Sequence, residues 1–172
     1  MLNTHILSCT EVILSIIFGI DPGIATTGYG IIEENSGNLS FLAHGCIITK
    51  PGDQSKRLAI LHQELHELLC TYQPSCIAVE QLYFSKNTTT ALIVSEARGV
   101  ILLTAALLSI PVFEYTPKQV KLAVTGSGSA DKHQMQAMVA RILRLDSIPK
   151  PDDAADGLAI ALCHIQMYRG KI

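Results

Sequence analysis

Three acids stand where apolar sequence would otherwise run on. Asp21 follows Phe18-Gly19-Ile20, Glu80 follows Ile77-Ala78-Val79, and Asp156 lies between Ala155 and Gly157-Leu158. Carboxylates desolvated side by side cost several kcal/mol unless they are protonated, paired or bound to cations. A divalent ion resolves that conflict, and oxygen ligands with no His/Cys cluster beside them favour Mg²⁺ or Mn²⁺ over zinc. The run Asp152-Asp153-Ala154-Ala155-Asp156 adds further carboxylates. Asp153 and Asp156 are spaced i,i+3, and Asp152 and Asp156 i,i+4, so either pair stacks on one helix face and spacing alone leaves the partner of Asp156 open. A purely structural account makes Asp152 an N-cap and Asp153 a first-turn acid favoured by the helix dipole. It leaves only Asp156 unexplained.

These acids need elements to hold them. The aliphatic run Val12 to Ile20, stopped by Asp21-Pro22-Gly23, predicts a central strand with Asp21 at its exit. Gly28 to Glu34 and Leu39 to Thr49 predict two more strands, joined by the hairpin-type Asn35-Ser36-Gly37-Asn38. Gln54 to Tyr72 carries leucines at helical spacing. Gln73-Pro74 ends that helix, and Cys76 to Val79 gives a short strand that delivers Glu80 at its end. Open α/β sheets place their sites at such strand ends, so Asp21 and Glu80 can be neighbours. Thr88 to Leu108 predicts a helix apolar around much of its circumference, with surplus surface for a second subunit. A strand at Pro111 to Tyr115 and helices at Pro117 to Val124, Asp131 to Leu145 and Asp152 to Tyr168 complete an α/β fold. Its mixed five-stranded sheet is flanked by helices.

The chain has 172 residues, enough for one domain that buries roughly two-thirds of its unfolded surface. Residues 13–172 are read as that domain and 1–12 as an N-terminal extension without an assigned role. Met1 to Ile17 contains no Lys or Arg, and the stretch Gly99 to Phe113 falls short of the ~20 apolar residues of a spanning helix. Five cysteines without a C-x-x-C pair predict free, mostly buried thiols. Together these features predict a cytoplasmic protein without a membrane partner. The net charge of −2 is neutral on nucleic acid: were four carboxylates committed to a metal site, thirteen basic residues would face eleven acids.

Gly19-Ile20-Asp21-Pro22-Gly23 with Gly28-Tyr29-Gly30, then Ile77-Ala78-Val79-Glu80-Gln81, and finally Asp153-Ala154-Ala155-Asp156-Gly157-Leu158-Ala159 resemble, in order, the signature blocks of the RuvC family of Holliday-junction endonucleases. Lys86-Asn87, Ala97-Arg98-Gly99, Pro117-Lys118-Gln119-Val120-Lys121 and Gly126-Ser127-Gly128-Ser129-Ala130-Asp131-Lys132 extend the resemblance, which runs from about Ile13 to the C-terminus. It implies a ribonuclease-H-like fold, a homodimer, partnership with RuvA and RuvB, and paired nicks in opposed strands of a four-way junction during recombination and repair. It also implies two Mg²⁺ per site, with Mn²⁺ a substitute, held by Asp21, Glu80, Asp153 and Asp156. Hydrolysis would then proceed by in-line attack of a metal-activated water. Asp152 is left as the helix cap. Lys121 and Lys132 match basic positions near the scissile strand. Tyr83 and Phe84 place two aromatics just beyond Glu80, either able to stack on an unpaired base, where the family commonly has Phe at the position of Tyr83. Lys86, within Ser85-Lys86-Asn87-Thr88, offers a donor at a helix N-terminus. His133, beside Lys132, and His164 are read as surface or packing residues.

Two other readings compete. The segment Asp21 to Gly30 also fits the D-x-G-x-x-x-x-G-x-G phosphate loop of actin-like ATPases, though those proteins need a second domain and a second loop. A junction-binding module without catalysis is the other, and the full set of acids argues against it.

Overall fold

The computed structural model describes residues 14–81 and 88–169. Strand β1 (Leu14–Asp21) alternates its side chains between two apolar layers, with Ile17 in one core and Phe18 and Ile20 in the other. A strand covered on both faces reads as a continuous aliphatic run, which is how it stands in the sequence. β2 (Thr26–Asn35) returns antiparallel to β1 and sets Gly28 opposite Asp21. Ser36 and Gly37, both at positive φ, turn the chain tightly into β3 (Asn38–Ile48), antiparallel to β2.

α1 (Gln54–Tyr72) starts at Asp53, whose carboxylate accepts the Lys56 N–H at 3.0 Å, and buries Leu61, Leu65 and Leu69 at successive i,i+4 positions. β4 (Cys76–Glu80) then enters parallel to β1, α2 (Thr88–Leu107) follows, and β5 (Val112–Tyr115) pairs parallel with β4. The sheet order is β3-β2-β1-β4-β5, the mixed five-stranded sheet expected from the sequence.

α3 (Pro117–Thr125) and α4 (Lys132–Ile142) each open with a capping box, Thr116 with Gln119 and Asp131 with Gln134. α5 (Asp152–Arg169) crosses β1 and β2. Side chains of α3, α4 and α5 pack with Ile17 and Ile32, while those of α1 and α2 pack with Phe18 and Ile31, so the two helix layers cover opposite faces of the sheet.

Some details depart from expectation. α4 stops at Ile142 rather than Leu145: Arg144 takes a left-handed φ of 53°, and the Leu145 N–H bonds back to the Ala140 carbonyl at 2.9 Å. Leu143 stays buried beyond the last turn, so apolar spacing continues past the helix it suggests. All four described cysteines are free, but only Cys76 and Cys163 are buried; Cys70 is exposed on α1 and Cys46 is partly buried. No helix among the described residues is long and apolar enough to cross a membrane.

Candidate active site

β1 and β4 are adjacent and parallel, so Asp21 and Glu80, each the last residue of its strand, emerge at the same edge of the sheet. The first two turns of α5 bring Asp153 and Asp156 onto that edge. This approach depends on missing side chains. A Cβ added at Gly28 would collide with the Asp153 carbonyl oxygen, and one added at Gly157 would stand 2.5 Å from the Tyr29 carbonyl carbon. The helix backbone therefore rests directly on β2, with no layer of side chains between.

The result is a close cluster in which carboxylate oxygens of Asp21, Asp153 and Asp156 lie within 4.8 Å of one another. Glu80 stands outside that trio but lines the same cleft as Asp21 and Asp156, a space of about 210 Å³. Lys121 and Lys132 also face the cleft, and Val120, Met135 and Ile160 supply apolar wall.

Burial pushes the Asp21 carboxyl up to about 7, and Glu80, Asp156 and Asp153 push in the same direction against the opposing Lys132. Glu80 is likewise raised to about 7, by burial and then by Asp156, with Lys121 pulling the other way. Asp156 is raised by burial, and Lys132 counters it. The Lys132 Nζ lies 3.2 Å from Asp156 Oδ2, whereas Asp156 Oδ1 is buried without a hydrogen-bond partner among the described residues. Partial burial works against the Lys132 charge, yet Asp156, Asp152 and Asp153 outweigh it and hold the ammonium above its usual range.

An unpartnered buried oxygen beside converging carboxylates fits a cation, because buried charge is stable only when paired or coordinated. The donors are all oxygens and no His or Cys belongs to the trio, which suits a hard divalent ion. Cys46 sits close enough to Asp153 to feel its charge, but burial raises its thiol, so it offers no thiolate.

Asp21, Glu80, Asp153, Asp156, Lys121 and Lys132 are thus brought to one edge of the sheet. Tyr83, Phe84 and Lys86 lie outside the described residues. Asp152 is not the cap of α5. The Pro151 carbonyl takes the first helical bonds, from Ala154 N–H at 3.1 Å and Ala155 N–H at 3.4 Å, and Asp152 is the first helical residue. Its carboxylate instead faces Lys150 Nζ at 3.5 Å and Lys132 Nζ at 3.8 Å. That i,i+4 placement relative to Asp156 is visible in the sequence; the lysines it serves are not. His133 is exposed. His164 is a buried packing residue at the far end of α5, with Tyr115 Oη 2.8 Å from Nδ1 and Cys76 Sγ 3.3 Å from Nε2. Gly28 and Gly30, the glycines that end the Asp21 to Gly30 segment, press against the α5 backbone.

Comparison with known proteins identifies the family. The family model described as crossover junction endodeoxyribonuclease RuvC matches residues 17–164. The RuvC of Syntrophomonas wolfei is 49% identical over 154 residues, covering 89% of this chain and 90% of that relative. That of Desulforamulus reducens is 53% identical over 152 residues, 88% of this chain and 93% of the relative. The structure of Thermus thermophilus RuvC in complex with Holliday junction substrate superposes with a TM-score of 0.86 at 34% identity, over 91% of this chain and 96% of the other. The yeast mitochondrial Holliday junction resolvase Ydc2 shares the fold, with a TM-score of 0.65 at 16% identity over 87% and 77% of the two chains. With its acids gathered where β1, β4 and α5 meet and its family model spanning nearly every described element, the chain belongs to the RuvC family of crossover junction endodeoxyribonucleases.

Proposed function

We propose that this chain resolves four-way DNA junctions, cutting opposed strands by hydrolysis of phosphodiester bonds with divalent cations held by Asp21, Glu80, Asp153 and Asp156. The observation that carries the reading is the convergence of Asp21, Asp153 and Asp156 within 4.8 Å, with one Asp156 oxygen buried and unpartnered. Asp21 and Asp156 belong both to the trio and to the cleft that Glu80 lines, which supports assigning all four acids to one cation site. Mg²⁺ is the expected metal and Mn²⁺ its substitute. When bound, such a pair of ions activates the attacking water and stabilises the leaving oxygen.

The protein's own residues set the rest. Asp21 and Glu80 are fixed by sheet hydrogen bonding, and Asp153 and Asp156 by a helix seated on glycine, so the four acids are held by rigid elements. Lys121 and Lys132 offset the acids' charge on the side where an anionic phosphate enters. Tyr83, Phe84 and Lys86 are proposed to contact DNA beyond Glu80.

A homodimer gives the geometry for paired cuts, since a two-fold axis presents two sites to two strands. Leu92, Leu103 and Leu107 supply a surface for it on α2, being 65%, 57% and 66% exposed at spacings that return to one helix face. RuvA and RuvB are the proposed partners at the junction.

The test is cleavage of a synthetic four-way junction in Mg²⁺ by wild type, Asp21→Asn and Asp156→Asn. Paired nicks from wild type alone, with junction binding kept by both variants, support the resolvase. Binding by wild type without cutting in either Mg²⁺ or Mn²⁺ favours a junction-binding module.

A further inference from the structure

Lys132 is shared between two carboxylates, and the metal reading claims one of them. Its Nζ is 3.2 Å from Asp156 Oδ2 and 3.8 Å from Asp152 Oδ2. The two aspartates lie one turn apart on the same face of α5, so the ammonium is within ion-pair reach of both. Their surroundings differ. The Asp156 side chain is 19% exposed inside the cleft, and that of Asp152 is 49% exposed at its rim. Asp152 Oδ1 also stands 3.5 Å from Lys150 Nζ, so its carboxylate already faces two ammonium groups.

An ammonium and a divalent cation on one carboxylate repel each other strongly at this burial. On Asp156 Oδ2, Lys132 therefore works against an ion that takes the free Oδ1, unless the ammonium has another anion within reach. We propose that Asp152 is a positioning residue that receives the Lys132 ammonium when a divalent cation takes Asp156, so that the ion binds without driving Lys132 out of the cleft. The proposal rests on the metal reading of the site. It gives the third acid of Asp152-Asp153-Ala154-Ala155-Asp156 a role that is neither ligand nor helix cap.

The test is Mn²⁺ binding to the DNA-free, full-length chain by calorimetry. Asp152→Asn and Asp152→Glu are measured with Lys132 present and again in a Lys132→Gln background. All these side chains are half exposed, and melting in chelator confirms that each variant is folded. With Lys132 present, Asp152→Asn is expected to weaken Mn²⁺ binding about three- to tenfold, and Asp152→Glu to restore most of the loss. In the Lys132→Gln background the loss shrinks to less than about twofold, because no ammonium is left to rehouse. An equal loss in both backgrounds marks Asp152 as a nearby negative charge only and overturns the proposal, as does no loss in either. If Mn²⁺ does not bind wild type, or binds as well after Asp21→Asn, the metal reading falls and this one with it. Binding that requires Asp21 while the loss ignores Lys132 overturns the positioning role alone.

Discussion

Gly28 on β2 lies so close to Asp153 on α5 that a Cβ there would overlap the Asp153 carbonyl and come within 3.0 Å of its Cβ. Fold and chemistry meet at this contact, since the distance between strand and helix is also the distance between Asp153 and Asp21, whose partner in the β1–β2 register is Gly28. Gly28→Ala must push the start of α5 outward. The expected cost is about 2–3 kcal/mol of stability, measurable by denaturant unfolding, together with loss of Mn²⁺ binding out of proportion to it. Unchanged metal binding after the substitution would show that the close approach is not what sets the site.

Asp21 and Glu80, both raised to about 7 by burial and like charge, make the metal-free fold sensitive to pH. Between about 4 and 7 the folded chain keeps protons that the unfolded chain has released, so stability in chelator falls as pH rises through that window. The melting temperature in EDTA should be lower at pH 8 than at pH 5.5, with Mg²⁺ restoring more stability at pH 8, where no proton competes for the carboxylates. Asp21→Asn should raise metal-free stability at pH 8 by on the order of 1–2 kcal/mol while abolishing cleavage. A rise in melting temperature with pH in chelator is the contrary result.

The exposed leucines of α2 give a test of the dimer that leaves the acids untouched. Leu103→Glu combined with Leu107→Glu should sediment as a monomer at micromolar concentration, where wild type should sediment as the proposed dimer. Its Mn²⁺ binding should be unchanged, and its paired nicking of junctions lost. Wild type that is itself monomeric removes the basis for this surface.

His164 makes the opposite contribution to pH dependence at the other end of α5. Burial holds its imidazole below the usual range against the pull of Glu34, so its contribution is present above about 6.5 and lost as pH falls below that. Tyr115→Phe removes the hydroxyl that meets Nδ1 at 2.8 Å and should cost about 1–3 kcal/mol in unfolding experiments without altering Mn²⁺ affinity.

Much of this arrangement was legible before any coordinates. The strand ends at Asp21 and Glu80 show as acids interrupting aliphatic runs, and the aspartates of α5 show by their spacing, because both signals are local. Asp152 departs from the cap role for a physical reason. Preference for aspartate at a helix cap is a local rule, and here the Pro151 carbonyl meets the first helical N–H groups while the Asp152 carboxylate serves Lys132, twenty residues earlier in the chain. The glycines of β2 stand out as a motif, but their cause is the α5 backbone about 130 residues on, which no local pattern reveals. The premature end of α4 was hidden by Leu143, which keeps helical spacing while the backbone has already turned.

The seating of α5 on β1 and β2 also bears on timing. Two acids come from strands near the start of the fold, and two from the helix that follows every strand in the chain. While the chain is being synthesised, Asp21 and Glu80 exist for some time without Asp153 and Asp156. A partly built copy therefore cannot bring the four acids together. In a crossover junction endonuclease, the acid set is therefore completed only when the chain is.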